Sequence, residues 1–448
     1  MRDWNAERVA RAAGAVLLAP GASARGPERV VIDSRELEPG DLFVGLAGAQ
    51  TDGGRFAAQA IDGGAWGVLA AREHLASLTP AAPAALLAAE DPLVALGRLA
   101  RAYRRELGAA VVAITGSTGK TTTKEILAAV LAPARRTVAS PLNRNTEIGL
   151  PLAVLAAPAG TEVLVLELAM RGAGQIAALT AICEPDVGVI VNVGPAHLAL
   201  LGSLEAIAAA KAELFDGLAP GATAVAPAGE LLLEPHLRGD LEILRFGPGG
   251  DVELLESGPD GVLVAVAGRP RRIEPGFRAA HLLSDLCAAV AAAHALGVDA
   301  QGPLEVRLPA LHGERIELPG GVVVVNDCYN ANPMSMRAAL EELASTAAGR
   351  RVAVLGDMLE LGERDERRLH RELGEQARGA GVALLVTVGP RAAWAGERFG
   401  PGGEHVHADD ALEAAALLAP RLAPGDTVLV KGSRGVALER VAAALAGR

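Results

Sequence analysis

A glycine-rich segment in the first third of the chain has the composition of a phosphate-binding loop. It lies between an apolar strand that ends near Thr115 and a helical pattern that begins at Lys120. In such loops, backbone N–H groups and the helix N-terminus bind phosphates, a lysine supplies positive charge and the next hydroxyl residue binds Mg²⁺. The predicted nucleotide-binding residues of the loop are Thr115, Gly116, Ser117, Thr118, Gly119, Lys120, Thr121 and Thr122.

The loop is shorter than that of most P-loop proteins. In the usual pattern, G-x-x-x-x-G-K-[ST], the first glycine would fall at Ile114, whereas here the first glycine is Gly116. The short loop therefore disfavours the ordinary P-loop GTPases and kinases.

Three further side chains could complete a catalytic centre with this loop. Glu167 ends an apolar strand, where a carboxylate could bind Mg²⁺ opposite Thr121; a solvated charge at a strand end is the alternative. His197 follows the next strand, although a lone histidine is more often structural. Lys211 lies among alanines on a predicted helix, a pattern that favours a solvated lysine, although a desolvated lysine can be chemically modified.

Two other apparent motifs are weak evidence for a dinucleotide site and a metal site. The segment Gly172–Ala177 matches the dinucleotide pattern G-x-G-x-x-A, but residues 169–171 separate it from the preceding strand. His405 and His407 could share one strand face, yet the neighbouring sequence supplies no third metal ligand.

Polar clusters follow three apolar strands in the last third of the chain. They begin at Asn326, Gly356 and Lys431. Because the carboxyl ends of parallel strands meet at one edge of a sheet, we expect these clusters to line one crevice. The candidate residues are Asp327, Tyr329, Asn330, Asn332, Asp357, Glu360 and Lys431.

The order of the elements predicts an α/β protein with three domains. Residues 1–84 are expected to form a small α/β N-terminal domain that ends in a Pro/Ala linker at 79–83. Residues 85–310 are expected to form a central P-loop domain around a parallel sheet, which binds a mononucleotide. In residues 311–448, strands alternate with helices, which predicts a doubly wound, Rossmann-like C-terminal domain.

The composition argues against several classes of protein. Only three cysteines occur in 448 residues, without a C-x-x-C pair, so neither a disulfide framework nor a zinc knuckle is expected and a reducing compartment is favoured. The net charge of −11 and the 2% aromatic content disfavour nucleic-acid binding. No apolar run predicts membrane insertion, and Asp3 and Glu7 interrupt the basic segment that an export signal requires.

The chain resembles the muramyl ligases of peptidoglycan synthesis. The loop, extended to Thr123, is similar to the T-G-x-x-G-K-T-T-T motif that this superfamily shares with folylpolyglutamate synthases. Segments 327–336 and 356–362 resemble motifs of the family member that adds D-Ala-D-Ala. Residues 33–35 and 39–44 resemble its uridine-binding N-terminal domain.

This resemblance implies an ATP-dependent ligation of D-Ala-D-Ala to UDP-MurNAc-tripeptide through an acyl phosphate, with two Mg²⁺ ions. Lys120 would hold the γ-phosphate, Thr121 and Glu167 one Mg²⁺, and His197 the second, together with Lys211 if it is carbamylated. We further expect a cytoplasmic monomer. The resemblance assigns ATP contacts to Asp285, Arg315 and Asp327, and substrate contacts to Ser34, Arg35, Asn143, Tyr329, Asn330, Asn332, Asp357, Glu360 and Lys431.

The chain departs from the family pattern near the nucleotide. The motif H-N-x-x-N appears as residues 281–285, where leucine and Asp285 replace the asparagines, and N-x-N-N appears as residues 143–146 with Thr146 at its end. Ala169 replaces a glycine and Ala199 replaces an acidic residue. These departures put the adenine contact in question and leave Lys120 and its catalytic partners unchanged.

Two other functions stay open at the level of sequence. A folylpolyglutamate-type ligase has the same short loop, but its P-loop domain normally comes first in the chain. A non-catalytic P-loop switch would bind nucleotide without peptide chemistry, but it would not need a separate C-terminal crevice domain.

Overall fold

The computed structural model describes residues 1–49, 51–76, 78, 84–141 and 144–447. Within these ranges the chain forms three sheets with flanking helices, which confirms the predicted three-domain α/β fold. The linker predicted at 79–83 lies outside the described residues. Among the helices that the structure describes, none is long and apolar enough to cross a membrane.

The N-terminal domain is built on a five-stranded sheet. Its elements are α1 (Ala6–Ala13), β1 (Val16–Pro20), β2 (Val30–Val31), β3 (Leu42–Val44), α2 (Ala57–Asp62), β4 (Gly67–Ala71), α3 (Arg72–Leu75) and β5 (Ala85–Ala89). The strand order is β1-β5-β4-β3-β2, and only β1 is antiparallel to its neighbour. The predicted boundary after residue 84 is therefore displaced: β5 belongs to this sheet because its backbone pairs with β4 from Ala85 onward.

Helix α4 (Pro92–Leu107) joins this domain to the next. Asp91 caps its N-terminus by accepting hydrogen bonds from the next two free N–H groups, and Gly108 ends it with φ 62°. Leu99 on its buried face belongs to a hydrophobic cluster that also contains Leu87 of β5 and Val111 of the following strand. The N-terminal and central domains thus share one continuous core.

The central domain contains a ten-stranded sheet. Its strands are β6 (Ala110–Thr115), β7 (Thr137–Ala139), β8 (Val163–Glu167), β9 (Val187–Ile190), β10 (Thr223–Pro227), β11 (Glu242–Phe246), β12 (Val252–Gly258), β13 (Gly261–Val266), β14 (Arg269–Glu274) and β15 (Gly302–Pro303). Its helices are α5 (Lys120–Leu131), α6 (Gly149–Leu155), α7 (Gln175–Cys183), α8 (Leu198–Leu201), α9 (Leu204–Asp216) and α10 (Ala280–Ala295).

The strand order of this sheet, β15-β14-β13-β12-β11-β10-β9-β6-β8-β7, places β6 between β9 and β8. All pairs from β7 to β12 are parallel, and β12 to β14 form an antiparallel extension. The chain reverses its direction across the sheet at β6, so a crevice opens at the carboxyl end of this strand. The phosphate-binding loop follows β6 and lies at that crevice.

The C-terminal domain contains a six-stranded, doubly wound sheet. Its elements are β16 (Glu314–Leu318), β17 (Val322–Asn326), α11 (Pro333–Thr346), β18 (Arg351–Gly356), α12 (Glu366–Gly379), β19 (Leu384–Val388), α13 (Ala393–Phe399), β20 (Glu404–Ala408), α14 (Ala411–Leu418), β21 (Thr427–Lys431) and α15 (Glu439–Leu445). The order is β16-β17-β21-β18-β19-β20, with only β16 antiparallel.

Two features of this domain position the site. Strand β21 pairs with both β17 and β18, so the three predicted polar clusters follow three neighbouring strands. The two faces of the sheet are covered by buried clusters that belong to this domain alone. The predicted boundary after residue 310 lies between the last strand of the central sheet and the first strand of this one.

The shared core of the first two domains predicts the effect of Leu99→Ala. We expect the variant to lose about 2–5 kcal/mol of unfolding free energy, because the substitution leaves a cavity among buried side chains. Urea denaturation in a Trp394→Phe background measures this loss, since Trp4 and Trp66 then report only on the shared cluster. Leu412→Ala, at an exposed position of the C-terminal domain, is the control. Equal midpoints for both variants would contradict the continuous core.

Candidate active site

A cleft of about 540 Å³ lies between the central and C-terminal domains. Its walls come from the phosphate-binding loop, helix α10, the loop that follows β17, helix α11 and the last residue of β21. The sequence-predicted residues that line it are Ser117, Thr118, Gly119, Lys120, Thr121, Thr122, Glu167, Asp285, Asp327, Tyr329, Asn330, Asn332 and Lys431.

Asn192, directly after β9, fixes the backbone of the phosphate-binding loop. Its Oδ1 accepts hydrogen bonds from the N–H groups of Ser117 and Thr118, each at 3.0 Å, and its Nδ2 donates to Thr118 Oγ1 at 3.0 Å. Gly119 has φ 74°, and a Cβ there would lie 2.3 Å from Asp285 Oδ1, so no other residue fits. No role was predicted for Asn192 from the sequence. Its position after β9, a strand that neighbours β6, is the feature that could have indicated a place at the site.

Lys120 begins α5 with its ammonium folded back over the loop. Its Nζ donates to the carbonyl of Gly116 at 2.9 Å. Burial lowers the pKa of Lys120, and the nearby charge of Glu167 acts in the opposite direction. The positive charge therefore lies where the loop and the helix N-terminus converge.

Thr121 and Glu167 form a pair of oxygen ligands beside Lys120. Thr121 Oγ1 donates to Glu167 Oε2 at 2.8 Å, and the Nδ2 of Asn145 donates to the other carboxylate oxygen at 3.0 Å. Glu167 is 3% exposed, so the predicted alternative of a solvated strand-end charge is wrong. A hydroxyl and an oriented carboxylate are hard oxygen donors, which fit Mg²⁺.

Lys211 is buried rather than solvated, contrary to the expectation from its alanine-rich helix. Its exposure is 1%, because most of the neighbouring positions of α9 pack against the protein interior. Burial holds the pKa of Lys211 well below its usual value, and the positive charge of Lys120 lowers it further. No salt bridge to this lysine occurs in the described parts of the chain.

His197 lies near both lysines and contacts the C-terminal domain. Its Nδ1 is 2.6 Å from Glu360 Oε2. Burial lowers the pKa of His197, Glu360 raises it, and Lys120 and Lys211 lower it. His197 and Lys211 are thus electrostatic neighbours of the loop lysine, although neither lines the cleft described above.

Asp285 is a buried carboxyl group on α10, next to Gly119. It is 5% exposed, and burial alone raises its pKa well above the usual range. Burial thus shifts this group towards its neutral form, in which a carboxylic acid has an O–H donor beside a carbonyl acceptor.

Lys431 organises the loop that follows β17. Its ammonium donates to Asp327 Oδ2 at 2.7 Å and to the carbonyl of Asn330 at 3.0 Å, and its side chain is 3% exposed. Asn332, which caps α11, donates from Nδ2 to the carbonyl of Ser117 at 3.3 Å. This hydrogen bond connects the C-terminal domain directly to the phosphate-binding loop.

The remaining predicted residues lie away from the cleft. Asp357 Oδ1 accepts hydrogen bonds from the N–H groups of Arg391 and Ala392 at 3.0 and 2.7 Å, which occupies that oxygen within the C-terminal domain. Arg315 lies on β16 and Glu360 contacts His197. Thr115 ends β6 and Gly116 begins the loop, but neither lines the cleft. Ser34 and Arg35 lie in the N-terminal domain, and Asn143 lies outside the described residues.

The apparent dinucleotide motif before α7 has a different role. Glu213 accepts hydrogen bonds from the N–H groups of Gly174 and Ala177 at 2.5 and 3.0 Å. The carboxylate occupies the N–H groups that a pyrophosphate would need.

Comparison with known proteins matches all three domains to one family. The Mur ligase family, catalytic domain model matches residues 28–104, the Mur ligase middle domain model residues 114–293, and the model of the Mur ligase, glutamate ligase domain residues 313–434. The UDP-N-acetylmuramoyl-tripeptide--D-alanyl-D-alanine ligase of Bacillus subtilis is 34% identical over 424 residues, covering 92% of each chain.

Solved structures extend this similarity to the fold. A crystal structure of MurF from Acinetobacter baumannii has a TM-score of 0.88 at 29% identity and covers 99% of both chains. MurF ligase from Thermotoga maritima, in complex with ADP, has a TM-score of 0.82 at 32% identity, covering 94% of this chain and 97% of its own. The matches in all three domains, and the identity across nearly the whole length, show that this chain belongs to the Mur ligase family.

Proposed function

We propose that this protein ligates D-alanyl-D-alanine to UDP-MurNAc-tripeptide at the expense of ATP, which yields the UDP-MurNAc-pentapeptide precursor of peptidoglycan. The observation that carries the proposal is the cleft in which a phosphate-binding loop faces the strand-end loops of a second domain, connected through Asn332 and Ser117. The relatives named for this ligation match nearly the whole chain.

The reaction proceeds in two steps. The terminal carboxylate of the tripeptide attacks the γ-phosphorus of ATP, ADP leaves, and an acyl phosphate forms. The amine of D-Ala-D-Ala then attacks the acyl carbon, a tetrahedral intermediate collapses, phosphate leaves and the amine loses a proton. The products are the amide, ADP and inorganic phosphate.

The chain's own residues supply the positioning and charge that the first step needs. The loop N–H groups bind the phosphates, and Lys120 neutralises charge on the transferring group. Asp285, next to Gly119, hydrogen-bonds the adenine in place of an asparagine, while Arg315 and Asp327 contact the nucleotide from the C-terminal domain. Water is excluded when the two domains approach.

Two Mg²⁺ ions belong to the proposal. When bound, they offset the repulsion between the phosphates and the attacking carboxylate. Thr121 and Glu167 would hold the first ion. His197 and Lys211 would hold the second, and this would require Lys211 to carry an anion, since an ammonium group would repel the metal.

Carbamylation supplies that anion. The neutral amine attacks the carbon of CO₂, an N–C bond forms and the nitrogen loses a proton, which leaves a carbamate. Burial and the charge of Lys120 both lower the pKa of Lys211, and both favour the neutral amine from which this reaction starts.

The two other substrates are assigned mainly to the outer domains. Ser34 and Arg35 of the N-terminal domain contact the UDP-MurNAc-tripeptide, together with Asn143 of the central domain. Arg35 Nε donates a hydrogen bond to Asp33 Oδ1 at 2.9 Å. D-Ala-D-Ala binds near the C-terminal strand ends, through Tyr329, Asn330, Asn332, Asp357 and Lys431. Because UDP-MurNAc-tripeptide and ATP are soluble metabolites, we infer a cytoplasmic enzyme, which acts as a monomer without a nucleic-acid partner.

Phosphate release and product mass test the proposal. We expect the product only when ATP, UDP-MurNAc-tripeptide and D-Ala-D-Ala are all present. Lys120→Ala should lower kcat by at least about 10²-fold, because it removes charge stabilisation of the transferring phosphoryl group. Arg135→Ala, an exposed cation just beyond the far end of α5, is the matched control and should keep full activity.

Two outcomes would contradict the proposal. Near wild-type turnover by folded Lys120→Ala would show that catalysis does not depend on the loop lysine. A product formed from a folyl substrate and glutamate, but not from D-Ala-D-Ala, would favour the folylpolyglutamate-type alternative.

The carbamate on Lys211 has a direct test. In protein equilibrated with ¹³C-labelled CO₂, we expect a carbamate carbon signal that disappears in Lys211→Ala, together with nearly all activity. Acetate or another small carboxylate should restore part of the activity, whereas the same concentration of chloride should not, because only the carboxylate replaces the missing anion. Full activity of Lys211→Ala without additives would show that no carbamate is required.

A further inference from the structure

The contact between His197 and Glu360 crosses from the central to the C-terminal domain. Its Nδ1 to Oε2 distance is 2.6 Å, and the N–H of Ala199 donates to the carbonyl of Glu360 at 3.2 Å. The His197 side chain is 23% exposed and that of Glu360 is 45% exposed. Partly exposed contacts between a histidine and a carboxylate contribute little to stability, so a role other than stabilisation is considered for this one.

Both residues have unusual backbone conformations. His197 has φ 58° and Glu360 has φ 63°, in the left-handed region that costs free energy for residues other than glycine. Strained residues of this kind concentrate at functional sites. Here the two strained positions meet in a single side-chain contact.

The loop that carries Glu360 is held rigidly. The N–H of Met358 donates to His370 Nε2 at 3.0 Å, and the N–H of Leu359 donates to Ser433 Oγ at 2.9 Å. The side chains of Met358 and Leu361 are buried on either side of Glu360. The carboxylate is therefore presented at a fixed place by the C-terminal domain.

We infer that Glu360 is a positioning residue that fixes the tautomer of His197. An ionised carboxylate only accepts hydrogen bonds, so the short contact places the single imidazole proton on Nδ1. The lone pair is then on Nε2, where the imidazole can act as a ligand for a cation. A carboxylate that orients a metal-binding histidine through its other nitrogen is a recurrent arrangement in metal sites.

The inference deepens the proposed function and rests on it for the role of the bound cation. Because Glu360 comes from the C-terminal domain, it favours the ligand tautomer of His197 when that domain lies against the central one. The approach of the C-terminal domain is thereby coupled to the tautomer in which His197 Nε2 can bind a cation. Glu360, assigned by resemblance to the substrate, acts instead through His197.

Imidazole nitrogen NMR of histidine-labelled protein tests the inference without turnover. His197→Gln assigns the signals of His197 among the nine histidines. In the wild type with an ATP analogue, we expect the Nδ1–H form. Glu360→Ala should shift His197 towards the Nε2–H form, which histidine favours in water, and Glu360→Gln should retain much of the Nδ1–H form because its amide oxygen still accepts. Glu363→Ala, an exposed position on the same loop, is the control.

Mn²⁺ binding in the presence of the ATP analogue provides a second readout. Glu360→Ala should weaken it by about 10–100-fold, with Glu360→Gln between this variant and the wild type. An unchanged tautomer in folded Glu360→Ala would overturn the inference. A Glu360→Ala variant that loses D-Ala-D-Ala binding but keeps normal Mn²⁺ affinity would also overturn it, because this result would indicate that Glu360 binds the substrate. Failure of the wild type to ligate D-Ala-D-Ala would instead contradict the proposed function. The tautomer measurement does not depend on ligation, so it distinguishes failure of the inference from failure of the proposed function.

Discussion

The dominant constraint on this molecule is that two parallel sheets, with separate cores, direct their strand ends into one cleft. A parallel strand delivers its first loop residues at its carboxyl edge, and β6, β8 and β9 deliver the phosphate-binding loop, Glu167 and Asn192 in this way. The C-terminal sheet delivers the polar loop that follows β17 and Lys431 at the end of β21. The nucleotide site therefore has walls from two domains with separate buried clusters.

Burial then sets the charge of each group at this cleft. Lys120 and Lys211 are both desolvated, which lowers the pKa of each, and the charge of Lys120 lowers the pKa of Lys211 further. Asp285 shows the reverse effect, since burial raises the pKa of its carboxyl group. The positive charge of Lys120, which lies where the loop and the helix N-terminus converge, favours phosphate binding before any chemistry occurs.

Much of this could be predicted from the sequence, and the failures have physical causes. Strand-end motifs were found because glycine spacing and apolar runs are local features. The assignment of β5 to the first sheet depends on pairing with β4, which no local pattern records. Lys211 was misjudged because α9 is rich in alanine and has no strongly polar face that would reveal its buried side. The contact of His197 with Glu360 joins residues far apart in sequence, so only the tertiary structure could bring it to light.

The cleft is complete only when the C-terminal domain lies against the central one. The contacts across it that involve Asn332, Glu360 and His281 are polar, and the connecting segment near Leu311, with φ 66°, has no regular structure. Domains joined in this way are expected to move. Small-angle X-ray scattering measures directly whether the C-terminal domain approaches the central domain. With an ATP analogue and UDP-MurNAc-tripeptide together, the radius of gyration should fall below that of the free protein, to the value calculated from this structure. Identical scattering profiles with and without saturating ligands would contradict it.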